Sequence, residues 1–119
     1  MSDSVNHPPH YNSHESGVEA IDICEHMSFC IGNATKYVWR AGQKGDRTED
    51  LKKARWYLER ELAARADILQ AWPALVLAQL MKIWETEGPS FLGKFLWALA
   101  YNNVRAALAL VVDEIERAE

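Results

Sequence analysis

The sequence predicts an all-α protein, a small helical bundle of about five helices with an extended N-terminal arm. Apolar residues recur at helical spacing, most clearly at Leu51, Ala54, Leu58 and Leu62, and no Val-, Ile- or Thr-rich segment alternates as a half-buried strand does. Breaks fall between these stretches, at Gly42, before Pro73 and in "EGPS" around Pro89, where one helix stops and the next starts. A chain of 119 residues suits one compact domain, or a small domain with an appended helical hairpin, and buries a core without disulfide staples. The division expected is 1–66 for the arm and the first helices, and 67–119 for a C-terminal hairpin used in packing and oligomerisation.

The opening "MSDSVNHPPHYNSHESG" carries adjacent prolines and several turn formers, so it reads as an extended arm ordered only by docking elsewhere. Ser16 and Glu19 have the spacing of a capping box for a short first helix ending near His26. A second helix runs from about Phe29 to Ala41, with Gly42 at the left-handed C-cap position. Thr48 is the expected N-cap of a third, because Glu49 and Asp50 follow where the helix dipole favours acids. A fourth spans about Pro73 to Glu87 and a fifth about Ser90 to Arg117. In the fifth, Phe91, Phe95, Leu96, Trp97, Leu99, Leu108, Val111 and Ile115 cover most of the circumference, which predicts a helix that is central or shared between subunits. Trp72 and Trp84 add apolar area nearby, and Asn102 and Asn103, read as mid-helix, either set register or bind something.

The net charge of -4 argues against general affinity for nucleic acid, but the charge is uneven. Residues 1–35 carry five acids and no Lys or Arg, residues 36–65 carry nine bases against five acids, and the rest is acidic again. That polarity suits a small anion held beside carboxylates. No apolar run has membrane-spanning length and no leader is visible, so a cytoplasmic location is expected. Cys24 and Cys30, six residues apart, are expected as free thiols.

Asn33, Lys36, Tyr37 and Arg40 share one face of the second helix, since they fall at offsets of three, four and seven. Arg grips phosphate through parallel N–H bonds and Lys adds a point charge, so the face is either an anion site or a solvated basic surface. Lys44 in "GQKG" and Lys53, beside Asp50 and Tyr57 on the third helix, extend it if those helices pair. No GxxxxGK[ST] or GxGxxG is present. On the first helix Glu19, Asp22 and His26 share a face, either to hold a cation or to cap and pair locally. In the arm, "HPPHY" sets the rings of His7, His10 and Tyr11 on a stiff frame, suited to stacking on a base or docking on the core, and its spacing is not that of a zinc site.

The blocks "HPPHY", "GVEAID", "GNATKYVWRAGQKG" and "EDLKKARWYLERE", in this order, resemble the signature of a small bacteriophage family catalogued as a domain of unknown function. That family includes a nucleotide kinase that lacks a P-loop and phosphorylates deoxynucleoside monophosphates. The resemblance spans about residues 5 to 62. It implies one nucleotide site built from His7, His10, Tyr11, Glu19, Asp22, Asn33, Lys36, Tyr37, Arg40, Lys44, Asp50 and Lys53. Lys36, Arg40 and Lys44 would neutralise phosphate oxygens, Glu19 or Asp22 would hold a sugar hydroxyl, a metal or a catalytic cation, and Tyr11 or His10 would stack on the base. ATP or another nucleoside triphosphate would be the donor, a magnesium requirement is left open, and a homo-oligomer in an infected or lysogenic bacterial host is expected. Two further readings stand beside this one: a nucleotide-sequestering or host-inhibitory protein, and a pyrophosphohydrolase using the acids of "EAID".

Overall fold

The computed structural model describes residues 14–43, 45–65 and 72–118. They form α1 (Ala20–Cys24), α2 (Phe29–Arg40), α3 (Arg47–Arg65), α4 (Ala74–Glu87), α5 (Phe91–Ala100) and α6 (Val104–Ala118), and no strand.

The start of α2 is set by Ser28, whose Oγ accepts from Ile31 N–H at 3.3 Å and donates to Glu61 Oε1 at 3.0 Å, tying this helix start to α3. Ile31, Ala34 and Val38 then turn to the core at spacings of three and four, with Trp39 beside them. Beyond Ala41 the chain passes through Gly42 at φ +84°, the left-handed conformation expected of a helix stop. Asp46 starts α3: its Oδ1 accepts from the N–H groups of Thr48 at 2.8 Å and Glu49 at 3.3 Å. Leu51, Ala54 and Leu58 of α3 are wholly buried, and α3 packs on α2 and on α6. From the other half, Val76, Leu80 and Ile83 of α4, Phe95, Leu96 and Leu99 of α5, and Ala107, Val111 and Ile115 of α6 enter the same cluster. A single core thus draws on all six helices.

Four expectations are corrected. The capping box of α1 is formed by Glu19 and Asp22, with Glu19 N–H donating to Asp22 Oδ2 at 3.0 Å. Ser16 instead accepts from Val18 N–H at 3.2 Å and bonds the ring of His14. Asp46 replaces Thr48 as the cap of α3, because a carboxylate ahead of the helix reaches two free N–H groups. The expected fifth helix is two, making six among the described residues. At the break Asn102 has φ +55° and donates its N–H to Leu99 O at 2.9 Å, while Asn103 N–H donates to Ala98 O at 2.9 Å. These are the two bonds of a Schellman stop with Asn in the left-handed position. Asn103 Oδ1 then accepts from Ala106 N–H at 3.0 Å, so it opens α6. The change of direction lets α5 and α6 each bury one face, which explains an apolar pattern that looked circumferential.

Candidate functional site

The α2–α3 pairing brings Lys36, Tyr37 and Arg40 up to Lys53 and Tyr57. Lys36 Nζ lies 4.7 Å, Arg40 Cζ 5.0 Å and Lys53 Nζ 5.4 Å from the centre of the Tyr37 ring. Each such contact with a phenol ring is worth about 0.5–1 kcal/mol near solvent. That modest gain sets three positive charges around one ring. The only ion pair of these three among the described residues joins Arg40 to Asp50, at 3.4 Å. Asp50 is buried, so its charge is committed to Arg40, and the lysines remain available to an anion.

Asn33 turns back on its own helix, its Nδ2 donating to Phe29 O at 2.8 Å. Glu19 and Asp22 sit in the cap of α1, so Asp22 is occupied by backbone. His26 lies 3.5 Å from Glu25, so the acid beside it is its neighbour in sequence and not Asp22, the surface partner expected from spacing. His7, His10, Tyr11 and Lys44 lie outside the described residues. Among the described residues, no group of three or more His, Cys, Asp or Glu side chains is arranged to hold a metal ion. Both cysteines are free; Cys24 is partly buried and Cys30 buried. Burial pushes the Cys24 thiol up to about 12, against a smaller opposing pull from Lys36.

Two grooves open near this cluster, the first lined by Lys36 and the second reaching it through Tyr57. The first, of about 410 Å³ between α1 and α2, is lined by Ile21, Cys24, Met27, Phe29, Asn33 and Lys36, with Glu25 also in its wall. The second, of about 530 Å³ between α2 and α3, is lined by Phe29, Cys30, Trp56, Tyr57, Arg60 and Ala63 among others. Tyr57 stacks on Tyr37 with centroids 6.1 Å apart and planes at 15°, and it meets Trp56 edge-on at 5.0 Å. Phe29, Trp56 and Arg60 were not read as site residues from sequence. Their signal was present: Trp56 falls off the Leu51–Ala54–Leu58 stripe, so an indole was due on the solvent side.

A third cluster resembles a catalytic triad but is connected differently. His14 Nε2 donates to Glu87 Oε2 at 2.8 Å, and Ser90 Oγ donates to Glu87 Oε1 at 2.5 Å while accepting from Gly93 N–H at 3.1 Å. On its other side the His14 ring meets Ser16, with Nδ1 2.7 Å from Ser16 Oγ and 3.1 Å from its backbone N. Ser90 is thus bonded to the carboxylate and not to the imidazole, so the Ser–His contact of a triad is not made in this cluster. The cluster clasps the residues before α1 to the end of α4.

Residues 5–59 match a family model described as a protein of unknown function (DUF3310). The match takes in α1, α2 and most of α3, including every member of the cation cluster, and ends before α4. No curated protein and no solved structure matches the chain.

Proposed function

We propose that the protein binds a nucleotide through Lys36, Arg40 and Lys53, and that it transfers a phosphoryl group from a nucleoside triphosphate to a deoxynucleoside monophosphate. The observation that carries this reading is the gathering of three cations on Tyr37 with a single carboxylate, Asp50, paired to them. A phosphate dianion complements the excess charge, and charge-assisted N–H···O bonds are the strongest available to it. In the transfer, an oxygen of the acceptor's phosphate forms a bond to the donor's γ-phosphorus as the bridge from γ to β breaks. A nucleoside diphosphate leaves with the electron pair. Such a step needs positioning and charge neutralisation more than proton transfer, which is what Lys36, Arg40 and Lys53 supply. Glu19 and Asp22 would reach a sugar hydroxyl only by giving up their cap. That commitment favours, as a second reading, a protein that holds the nucleotide without turning it over.

Purified protein mixed with ATP and each deoxynucleoside monophosphate should yield diphosphates resolved by chromatography. Saturable binding without product supports the second reading, and absence of binding overturns both. Exposed Leu75, Leu77, Met81, Trp97 and Tyr101 on and beside α4 and α5 support self-association. Solution mass measurement of the intact chain checks it, and a monomer at all concentrations removes that part of the proposal. No helix among the described residues is long and apolar enough to cross a membrane.

A further inference from the structure

We infer that the base of the bound nucleotide stacks in the α2–α3 cleft, on Trp56 and Phe29, and not in the α1–α2 groove. The inference rests on the nucleotide reading above and adds to it the site of the nucleoside, formed by residues with no role assigned so far.

Phe29 is 73% and Trp56 54% exposed, although both are large and apolar. Flat aromatic faces turned to water forgo the stabilisation of burial, and a planar ring laid on them recovers it for any base, because every base has a π-face. The guanidinium of Arg60 lies 5.3 Å over the Trp56 ring, which steadies the indole and sets N–H donors beside whatever packs there. The cleft is joined to the cations by ring contacts: Tyr57 lies 5.0 Å from Trp56, 6.1 Å from Phe29 and 6.1 Å from Tyr37, which carries the three positive groups. An aromatic floor that runs into a cationic patch matches a molecule with a planar head and an anionic tail.

The α1–α2 groove offers a poorer match. Lys36 and Phe29 line it too, but its other walls are largely aliphatic and thiol, from Ile21, Met27 and a Cys24 held neutral by burial, with no second ring. Glu25 also lines it, and its carboxylate repels a phosphate brought alongside. Ring chemistry therefore selects the α2–α3 cleft, where Trp56 and Tyr57 join Phe29 and Tyr57 leads by stacking to the Tyr37 cations.

The test is calorimetric titration of the full chain with each deoxynucleoside monophosphate and with inorganic pyrophosphate, in wild type, Trp56→Ala, Trp56→Phe and Ile21→Ala, with folding followed by circular dichroism. Trp56→Ala is expected to weaken the tightest monophosphate by roughly five- to a hundredfold, the range of base-on-aromatic stacking. Pyrophosphate affinity should stay constant, Trp56→Phe should recover most of the loss, and Ile21→Ala should change little. Unchanged monophosphate affinity in Trp56→Ala overturns the inference, as does an equal loss for pyrophosphate or a loss confined to Ile21→Ala. Sedimentation of the same variants covers the remaining occupant: if Trp56→Ala only dissociates an oligomer, the cleft belongs to a second copy of the chain and the inference falls. A wild-type protein that binds none of the monophosphates defeats the nucleotide reading itself, which is a separate result.

Discussion

The α1–α3 half and the α4–α6 half both cap their helices with polar side chains, but they differ in what the remaining polar side chains do. In α2 and α3 they converge: Lys36, Arg40 and Lys53 come from two helices onto one ring, with more positive charge than the fold consumes. In α4 to α6 they are spent on the backbone. Ser90 caps α5, Asn102 ends it, Asn103 opens α6, and Glu87 is held by Ser90 and His14. The surplus of positive charge on the first half is what the proposed anion site rests on, whereas the polar groups satisfied within the second half serve its structure. The exposed apolar groups divide in the same sense. Trp56 and Phe29 connect to the cation-bearing Tyr37 through Tyr57, while Trp97 stands in a ring ladder with Trp84 at 4.5 Å and Tyr101 at 5.3 Å, a face suited to packing.

The comparison breaks most severely if the pairing that creates the cation cluster is loosened. Leu58→Ala leaves a cavity under the α2–α3 contact and should cost about 2–5 kcal/mol, read by denaturant unfolding. Nucleotide affinity should fall with it. Replacing Lys36 and Lys53 together by Ala should reduce nucleotide affinity by roughly a hundredfold or more, with thermal stability nearly unchanged, since charged hydrogen bonds are worth about 1.5–3 kcal/mol each. Equal loss of stability and binding would place these lysines with the structural residues of the other half. Arg40→Ala is expected to differ, because it strands the buried Asp50 charge and should lower stability as well as binding.

In the C-terminal half, Gly93→Ala should destabilise by about 1–3 kcal/mol without affecting ligand affinity. A Cβ there would lie 2.5 Å from Gly88 O, a backbone atom that cannot swing aside. Asn103→Ala, which removes a cap, should cost about 1 kcal/mol in the same assay. A drop in nucleotide affinity from either would show that the halves are coupled. The effect that is smallest at neutral pH concerns Cys24. Its folded thiol is raised from 9.0 to about 12, so the folded state keeps a proton that the unfolded chain loses. This contribution is fully present below pH 9 and is lost as pH rises towards 12. Stability curves of wild type and Cys24→Ala should therefore converge across that window, and the thiol should resist alkylation at pH 8.

Much of the fold was legible because it rests on local chemistry. The Leu51–Ala54–Leu58 stripe and the Gly42 stop needed only helical period and backbone sterics. Asn102 and Asn103 were misread as mid-helix because Asn is tolerated on a helix surface, and only the left-handed turn reveals that one stops and the other starts. Leu62, counted in the α3 stripe, is only partly buried, while Glu61 takes the buried place through its bond to Ser28. For the site, spacing put Lys36, Tyr37 and Arg40 on one face, but no local rule says which side of α3 meets it.

The sequence by itself determined the all-α class, the helix-forming stretches and the concentration of positive charge in residues 36–65, since period, breakers and composition act over a few residues. Tertiary structure decided that Lys53 joins Lys36 and Arg40 on Tyr37, that Asp50 pairs with Arg40, and that Trp56 and Phe29 share a cleft with Tyr57, which stacks on Tyr37. Those are contacts between helices. They depend on the rotation of α3 against α2, which is fixed by burying Leu51, Ala54 and Leu58 in one shared core and by nothing local to the charged residues themselves.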